Sequence, residues 1–255
     1  MKTVSVINQK GGVGKSTTAE MLISALSLKG FKVLAIDLDA QGNLSYSLAA
    51  NLDSPTILEV LTEEISAKDA IKKARADVIS SNKALAGADA FIADTGKEYR
   101  LKEALEKIAK NYDFCIIDTP PALGILTINA LTASDSVIIP AQADIYSLQG
   151  IENLEETIKA VKKYCNPNLK IEGILLTRYN TRTILSREVS EMAEKLAEKL
   201  ETKLFKAKIR DAVAVKEAQI SQESLFKYAP KSNVTKDYEG FINEFLGKER
   251  SKKNG

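Results

Sequence analysis

A glycine-rich loop with two lysines is the first feature of this sequence that could do chemistry. A short apolar run at residues 3–7 leads into Lys10-Gly11-Gly12-Val13-Gly14-Lys15-Ser16-Thr17, and a stretch of helical periodicity follows. Glycines let backbone N–H groups approach phosphate oxygens, and a helix start adds the positive end of its dipole. The loop therefore predicts a nucleotide-phosphate site. We expect Lys15 to reach the β- and γ-phosphates, Ser16 to ligate Mg²⁺ and Thr17 to bind near the α-phosphate.

Three carboxylates stand where apolar runs end. Asp37 and Asp39 close the run that begins at Val33, and Asp118 closes the run that begins at Phe114. Ligands of open α/β sheets bind at the carboxyl ends of the strands, and residues two apart in an extended chain point the same way. We therefore expect the three acids near the bound phosphates. An acid that ends a buried strand can also be a simple cap or turn.

The loop departs from the usual G-x-x-x-x-G-K-[ST] pattern, because Gln9 stands at the first glycine position. With Lys10 before the glycines, it resembles the deviant Walker A loop of the ParA/MinD group of P-loop ATPases. The resemblance implies that two subunits face each other with ATP between them and that Lys10 crosses to the partner's nucleotide. A cation supplied in this way accelerates other phosphoryl transfers by roughly 10³–10⁵. The alternative is a solvated loop lysine.

Two further motifs resemble the same group and imply roles for the carboxylates. Asp37-Leu38-Asp39-Ala40-Gln41-Gly42-Asn43 resembles D-x-D-P-Q-G-N, with alanine in place of proline. The match implies that Asp39 orients the attacking water and that Asp37 supports the Mg²⁺ shell or the loop. Asp118-Thr119-Pro120-Pro121 resembles Walker B. It implies that Asp118 holds Mg²⁺ through a water and that the prolines fix a loop sensing the γ-phosphate.

The resemblance continues into the second half of the chain, more loosely after residue 176. Lys206-Ala207-Lys208-Ile209-Arg210-Asp211 is similar to an I-P-R-N stretch around the adenine. Ile209 and Asp211 are therefore expected to contact the base, although they stand where proline and asparagine are usual. Downstream, Gln219 replaces the proline of an L-S-E-A-P-S motif. The cofactors that the resemblance implies are ATP and Mg²⁺.

The charge of the chain is uneven. Residues 159–210 carry 13 Lys/Arg and six Asp/Glu, a local +7, whereas the whole chain is +2. Such asymmetry indicates either an anionic partner or a solvated helix surface. No motif for reading base edges accompanies it, so DNA binding would be non-specific; neutralising about six phosphates would give a log–log salt slope of roughly −5. The candidates for phosphate-backbone contact are Arg178, Arg182, Arg187, Lys206, Lys208 and Arg210.

Apolar strands that alternate with amphipathic helices must position these residues. Runs that are apolar throughout indicate an α/β fold with a mostly parallel central sheet and helices on both faces, here a P-loop NTPase of the deviant Walker A type. We predict strands at residues 3–8, 33–37, 114–118, 136–141 and 170–177, a minor one at 77–80 and a possible one at 204–209. Predicted helices cover residues 15–29, 97–110, 123–133, 148–164, 186–199 and 230–246. Residues 1–255 are expected to form one domain, with a frayed tail at 247–255.

Composition excludes several kinds of chemistry. Histidine is absent, which excludes both histidine-based catalytic triads and zinc sites built on histidine. Cysteine occurs twice, and Cys115 lies within an apolar run, so we expect a buried core residue rather than a redox group. There is neither a run of 18 apolar residues nor a signal-peptide pattern, which predicts a cytoplasmic protein.

The motifs together predict a ParA-type DNA-partitioning ATPase of the short kind, without an N-terminal helix-turn-helix extension. The resemblance implies an ATP-dependent homodimer on nucleoid DNA, no membrane binding, slow hydrolysis alone and stimulation by a ParB-like partner. One alternative is a MinD-like membrane-associated positioning ATPase, for which the apolar residues near 241–246 would have to form an amphipathic helix. A metabolic synthetase, an iron–sulfur reductase and a non-catalytic nucleotide-binding adaptor are the others.

Overall fold

Seven strands form one sheet whose order differs from their order along the chain. The computed structural model describes residues 1–180 and 183–253. The strands are β1 (Lys2–Val6), β2 (Val33–Asp37), β3 (Lys72–Lys73), β4 (Asp77–Ile79), β5 (Phe114–Asp118), β6 (Ser136–Gln142) and β7 (Lys170–Thr177). They are arranged β3-β4-β2-β5-β1-β6-β7, and every neighbouring pair is parallel except β3 and β4. The predicted mostly parallel sheet is confirmed.

Helices cover both faces of this sheet. They are α1 (Lys15–Leu28), α2 (Asn43–Ser47), α3 (Ile57–Leu61), α4 (Ala67–Ala70), α5 (Ala88–Phe91), α6 (Arg100–Glu106), α7 (Ile125–Ala133), α8 (Ile145–Tyr164), α9 (Ile184–Lys199), α10 (Val213–Ile220), α11 (Leu225–Tyr228) and α12 (Asn233–Lys253). The predicted helix at residues 97–110 is interrupted, because 3₁₀ turns flank α6 on both sides.

Alternate residues of each central strand enter different hydrophobic cores. Ala35 and Ile116 pack with α1 and α12 on one face, whereas Ile36 and Ile117 pack with α3 and α6 on the other. A third core joins β6 and β7 to α8 and α9. Successive side chains of a strand point to opposite faces, so a strand covered on both sides must be apolar throughout. Cys115 is fully buried in the second core, as expected.

Two strand predictions are refined by the structure. The minor strand predicted at residues 77–80 is β4, which lies inside the sheet between β3 and β2. The segment predicted as a strand at 204–209 runs along the outer edge of β7 without forming a named strand. It contributes one bridge, Ile174 with Leu204, and the Ile209 amide donates to the Leu176 carbonyl at 2.8 Å.

The C-terminal helix closes the first core. Phe241, Ile242, Phe245 and Leu246 of α12 are all buried there, with at most 5% of their surface exposed. Within residues 1–180 and 183–253, no helix combines the length and the apolar character needed to cross a bilayer. The helix extends to Lys253, and residues 254 and 255 of the predicted frayed tail lie outside the described residues.

Candidate nucleotide-binding site

The glycine loop links β1 to α1 at the carboxyl edge of the sheet. Gly12 and Gly14 have φ of +75° and +89°, in the left-handed region that side-chain-bearing residues avoid. Gly14 caps α1 and offers no side chain to its amides. The first N–H groups of a helix have no intrahelical partner, so those of α1 are available to an anion. The loop is positioned as its sequence predicts.

Lys15 lies inside this loop. Its side chain is buried, and Nζ donates to the Lys10 carbonyl at 3.1 Å. Burial lowers the pKa of Lys15, while the charges of Asp118 and Asp39 act in the opposite direction. An ammonium group held among backbone dipoles and two nearby carboxylates can bind an anion without moving far.

Asp118 is a buried carboxylate without a hydrogen-bond partner. It is 0% exposed, and within the described part of the chain neither of its oxygens accepts a hydrogen bond of ordinary geometry, although the Ser16 hydroxyl lies close by. Burial and the neighbouring Asp37 raise its pKa well above the usual value, although Ser16 and Lys15 lower it. An orphaned carboxylate beside a hydroxyl fits a divalent cation whose remaining ligands are phosphates and water.

Protein ligands alone would not complete that metal shell. The described residues contain no group of three or more Cys, Asp or Glu side chains that could hold a metal ion. Mg²⁺ commonly takes one or two protein ligands together with substrate phosphates. Ser16 and Asp118, which lie close together at this sheet edge, are the residues that would hold such an ion.

Asp37 differs from this prediction, because its oxygens already have partners. It pairs in register with Asp118 on the neighbouring strand, accepts a hydrogen bond from the Asp39 amide at 3.0 Å, and accepts two from Ser45 at 2.8 and 2.7 Å. Burial, opposed by these hydrogen bonds, raises its pKa to about 6. Of the two roles expected for Asp37, the geometry fits holding the loop between β2 and α2 rather than ligating metal.

Asp39 lies on the wall of the phosphate cleft. The cleft is also lined by Gly11, Gly12, Lys15 and Ser16. One Asp39 oxygen accepts a hydrogen bond from the Gln41 amide at 3.0 Å, and the Asp39 carbonyl accepts one from the Ser81 hydroxyl. The backbone around this carboxylate is thus anchored, and the residue lines the same cleft as the glycine loop.

Lys10 does not line the cleft. Its Nζ lies 2.9 Å from both carboxylate oxygens of Asp144, which also accepts from the Ser147 amide and so caps α8. Burial alone would raise the pKa of Asp144. The hydrogen bonds that it accepts from Lys10 and Ser147, together with the positive charge of Lys10, instead lower this pKa overall. Sequence reasoning gave Asp144 no role. Its position directly before a helix is the signal that could have found it.

A second cavity adjoins the phosphate cleft. It has a volume of about 120 Å³ and is lined by Val13, by the two predicted base-contacting residues Ile209 and Asp211, and by Tyr238. Five residues line both cavities and form the wall between them: Gly14, Thr17, Arg178, Lys216 and Gln219. Gln219 donates from its side-chain amide to the Thr17 hydroxyl at 3.0 Å. Arg178 was expected at DNA, and the sequence gave Lys216 no role.

The remaining predicted DNA-contacting residues lie in several environments. Arg210 forms a paired contact with Asp237, at 2.6 Å from Nε, and Lys208 donates to Ser190 at 2.7 Å. Lys206 and Arg187 are exposed, and neither has an ion pair within the described ranges. Arg182 lies outside the described residues. Within the described ranges, the side chains of Arg187, Lys206 and Lys208 therefore have no acidic partner, whereas Arg210 is neutralised by Asp237.

Comparisons with known proteins identify a family over most of the chain. Residues 1–171 match the family model described as AAA domain. The chain is 40% identical over 244 residues to the sporulation initiation inhibitor protein Soj of Bacillus subtilis, covering 93% of this chain and 95% of that protein. It is 36% identical over 260 residues to the chromosome partitioning protein ParA of Caulobacter vibrioides, covering 99% and 96%.

A solved structure extends the similarity to three dimensions. Cobyrinic acid a,c-diamide synthase from Mycobacterium smegmatis, with bound ADP and magnesium, matches with a TM-score of 0.84 and 34% identity. The match covers 98% of this chain and 96% of that one. The shared fold therefore includes the whole region that positions the two cavities.

Proposed function

The chain belongs to the Soj/ParA family of P-loop ATPases, and from this premise we propose that it is a DNA-partitioning ATPase. In this proposal ATP drives formation of a homodimer, the dimer binds DNA non-specifically, and hydrolysis stimulated by a ParB-like partner releases it. The protein would then reside on the nucleoid. The similar proteins that support this proposal are the sporulation initiation inhibitor protein Soj and the chromosome partitioning protein ParA.

The observation that carries the proposal is the convergence of Lys15, Ser16 and the unpartnered Asp118 at one sheet edge. ATP would place its phosphates against the amides of the glycine loop, with Lys15 beside them. Mg²⁺, which neutralises phosphate charge when bound, would be held by Ser16 and by Asp118. The adenine would occupy the cavity beside Ile209 and Asp211.

The placement of Lys10 supports a dimer. Within its own chain this lysine contacts Asp144 and stays away from the phosphate cleft, which Lys15 already occupies. Its carboxylate partner and its own side chain are both partly exposed, at 26% and 33%. A partly solvated ion pair of this kind is weak, so Lys10 can leave it for the nucleotide of a facing subunit.

Asp39 supports hydrolysis. The residue lines the cleft together with the glycine loop, and its carboxylate would orient the attacking water there. The chain has no histidine and a carboxylate is a weak base at neutral pH, so turnover without the partner is expected to be slow.

Burial of the α12 apolar residues favours this proposal over a MinD-like membrane ATPase. An interfacial helix must present its apolar face to lipid. Phe241, Ile242, Phe245 and Leu246 instead pack in the core beneath the sheet. An iron–sulfur role loses support in the same way, because Cys115 is 0% exposed within β5.

A DNA-binding titration tests the proposal. Full-length protein would be titrated into a fluorescent duplex of arbitrary sequence with ATP, with ADP and without nucleotide, at two salt concentrations. We expect tight DNA binding in the presence of ATP but not with ADP or without nucleotide. DNA affinity should fall as salt rises, with a slope of log K against log salt concentration of roughly −5 if about six phosphates are neutralised. Equal binding in all three nucleotide states would contradict the proposal.

A further inference from the structure

We infer that Arg178 and Lys216 bind the nucleotide where its ribose and α-phosphate lie. The inference rests on the proposed function and extends it, because neither residue was expected in the ATP site. Both residues line the base cavity and the phosphate cleft. A nucleotide with its base in one cavity and its β- and γ-phosphates in the other must lie alongside the residues that line both cavities. The part of ATP between the base and the β-phosphate is the ribose and the α-phosphate, so these two groups would contact Arg178 and Lys216.

The neighbours of these residues define the same wall. Thr17, expected near the α-phosphate, also lines both cavities, and Gln219 donates to its hydroxyl at 3.0 Å. Lys216 and Gln219 are three residues apart on α10, so they lie on one face of that helix. Arg178 stands on β7's side of the wall, so the two cations reach it from different elements.

The backbone at Arg178 is held in a strained conformation. Its φ is +49°, in the left-handed region, which a residue with a side chain adopts only when its surroundings hold it there. Both neighbours are anchored: the Thr177 hydroxyl donates to the Val13 carbonyl at 2.8 Å, and the Tyr179 amide donates to the Ile209 carbonyl at 2.9 Å. These bonds tie residue 178 to the glycine loop on one side and to the base cavity on the other.

The charges of the two cations are not neutralised by protein acids. Within the part of the chain that the structure describes, neither Arg178 nor Lys216 has a carboxylate within ion-pair distance, in contrast to Arg210, which is paired with Asp237. Two unpaired cations at one wall favour a polyanion there. Because the α-phosphate is common to ATP and ADP, the two residues should contribute equally to the binding of both nucleotides.

Nucleotide titrations of full-length variants without DNA test this inference. Arg178→Gly removes the side chain and tolerates the positive φ, and Lys216→Ala removes the second cation from an independent element. Each variant loses one charge-assisted contact at a solvated position. Its affinities for ATP and for ADP should therefore fall by the same factor, about tenfold. Arg178→Lys should recover part of the affinity. Lys195→Ala removes an exposed cation from α9 and serves as the control.

The outcomes separate this inference from the proposed function. Failure of the wild-type protein to bind ATP would refute the proposed function. Wild-type binding with both variants within twofold of it would overturn the inference and leave the function standing. If Arg178→Gly kept its nucleotide affinity and bound DNA more weakly in a separate titration, the inference would be wrong for Arg178, and this residue would contact DNA instead. Thermal unfolding of each variant without nucleotide shows whether a loss of nucleotide affinity reflects the site or the fold. If Arg178→Gly does not fold, Lys216→Ala still tests the inference.

Discussion

The two lysines of one loop have different surroundings, and that difference separates their chemistry. Lys15 is buried and its ammonium group returns to the loop carbonyl at position 10. Lys10 points away, to a carboxylate 134 residues further along the chain. A nucleotide bound in the cleft can therefore use Lys15 at once. Lys10 becomes available only when its contact with Asp144 breaks.

Substitution of Asp144 by asparagine tests whether this contact restrains Lys10. Asparagine is a good helix cap, so Asp144→Asn should keep the start of α8 while removing the charge that holds the ammonium group. A partly exposed ion pair is worth up to about 1 kcal/mol, or roughly fivefold in an equilibrium. We expect the ATP-bound dimer to form at a several-fold lower protein concentration, measured by analytical ultracentrifugation.

The paired variants define how that experiment is interpreted. Asp144→Asn combined with Lys10→Ala should lose the gain, since the lysine that would benefit is gone. Weaker dimerisation of Asp144→Asn alone would mean that Asp144 positions Lys10 in the dimer as well, and restraint would be the wrong description.

At the residue scale, the sequence predicts groups that are close along the chain and misses those that meet across it. Lys15 and Ser16 belong to one loop, and Asp39 and Asp118 end apolar strands, so pattern and strand direction suffice to bring them together. The contact between Lys10 and Asp144 depends on how β6 lies beside β1, which no local pattern encodes. Arg178 was assigned to DNA from its charge, since the wall between two cavities exists only in the folded chain.

At the scale of elements, one arginine connects three segments around the cleft. Arg75 follows β3 and donates to Glu20 of α1 at 2.7 Å and to the carbonyl of Ser47 in α2 at 2.7 Å. It also contacts the carbonyl of Gln222 after α10 at 3.4 Å. Because α1 begins at the glycine loop and α2 follows the loop of Asp39, this cluster holds the two sides of the cleft together.

Removal of Arg75 should destabilise the fold. Glu20 is 1% exposed; burial raises its pKa and the charge of Arg75 lowers it, so Arg75→Met would leave an uncompensated carboxyl in the core. Breaking a buried pair costs about 3–5 kcal/mol, and partial exposure of Arg75 places the expected loss at about 2–4 kcal/mol by urea unfolding. Glu20→Gln in the Arg75→Met background should recover part of this loss.

A neighbouring lysine provides the matched control. Lys73 forms an ion pair with Asp77 in the same hairpin, but its side chain is 82% exposed. Exposed pairs contribute about 0–1 kcal/mol, so Lys73→Met should change the free energy of unfolding by less than that. A loss as large as that of Arg75→Met would mean that the hairpin, rather than the buried pair, determines stability.

Strands were predicted correctly where the hydrophobic pattern alone determines whether they form. The prediction fell short where strand formation depends on hydrogen-bond pairing with a neighbouring strand. The fully apolar runs at β2 and β5 were predicted with their observed bounds, because strands buried on both faces leave a continuous signal. The segment at 204–209 has an alternating pattern, with Phe205 and Ile209 buried and Lys206 and Arg210 exposed. That pattern is typical of an edge strand. Whether it forms a regular ladder depends on its distance from β7 at each position.

At the scale of the whole molecule, positive charge is concentrated along the outer side of β7, whereas the three cations of α9 stand among four glutamates. Several residues of the stretch 203–210 are cationic, but α12 supplies Asp237 as the partner of Arg210 and Glu244 as the partner of Lys203. The net charge of this region was predictable from the sequence. Its partial neutralisation by a helix 27 to 41 residues away was not. Exposed, unpaired cations such as Arg187 therefore carry more of the expected DNA affinity than the residue count suggests.

Arg187→Ala and Lys195→Ala test whether DNA contacts a defined surface or responds to total charge. Both residues are exposed on α9, and each substitution removes one charge from each subunit. Neither residue has an ion pair in the described ranges, but Lys195 lies between Glu191 and Glu198 on its helix face, whereas Arg187 lies in the first turn. If Arg187 contacts phosphate in both subunits of the dimer, its loss should lower the magnitude of the salt slope by about two. Lys195→Ala should leave the slope unchanged, and ATP-dependent dimerisation should be intact in both variants. Equal losses in the two variants, measured by fluorescence anisotropy at several salt concentrations, would show that net charge and not a contact at Arg187 determines DNA affinity.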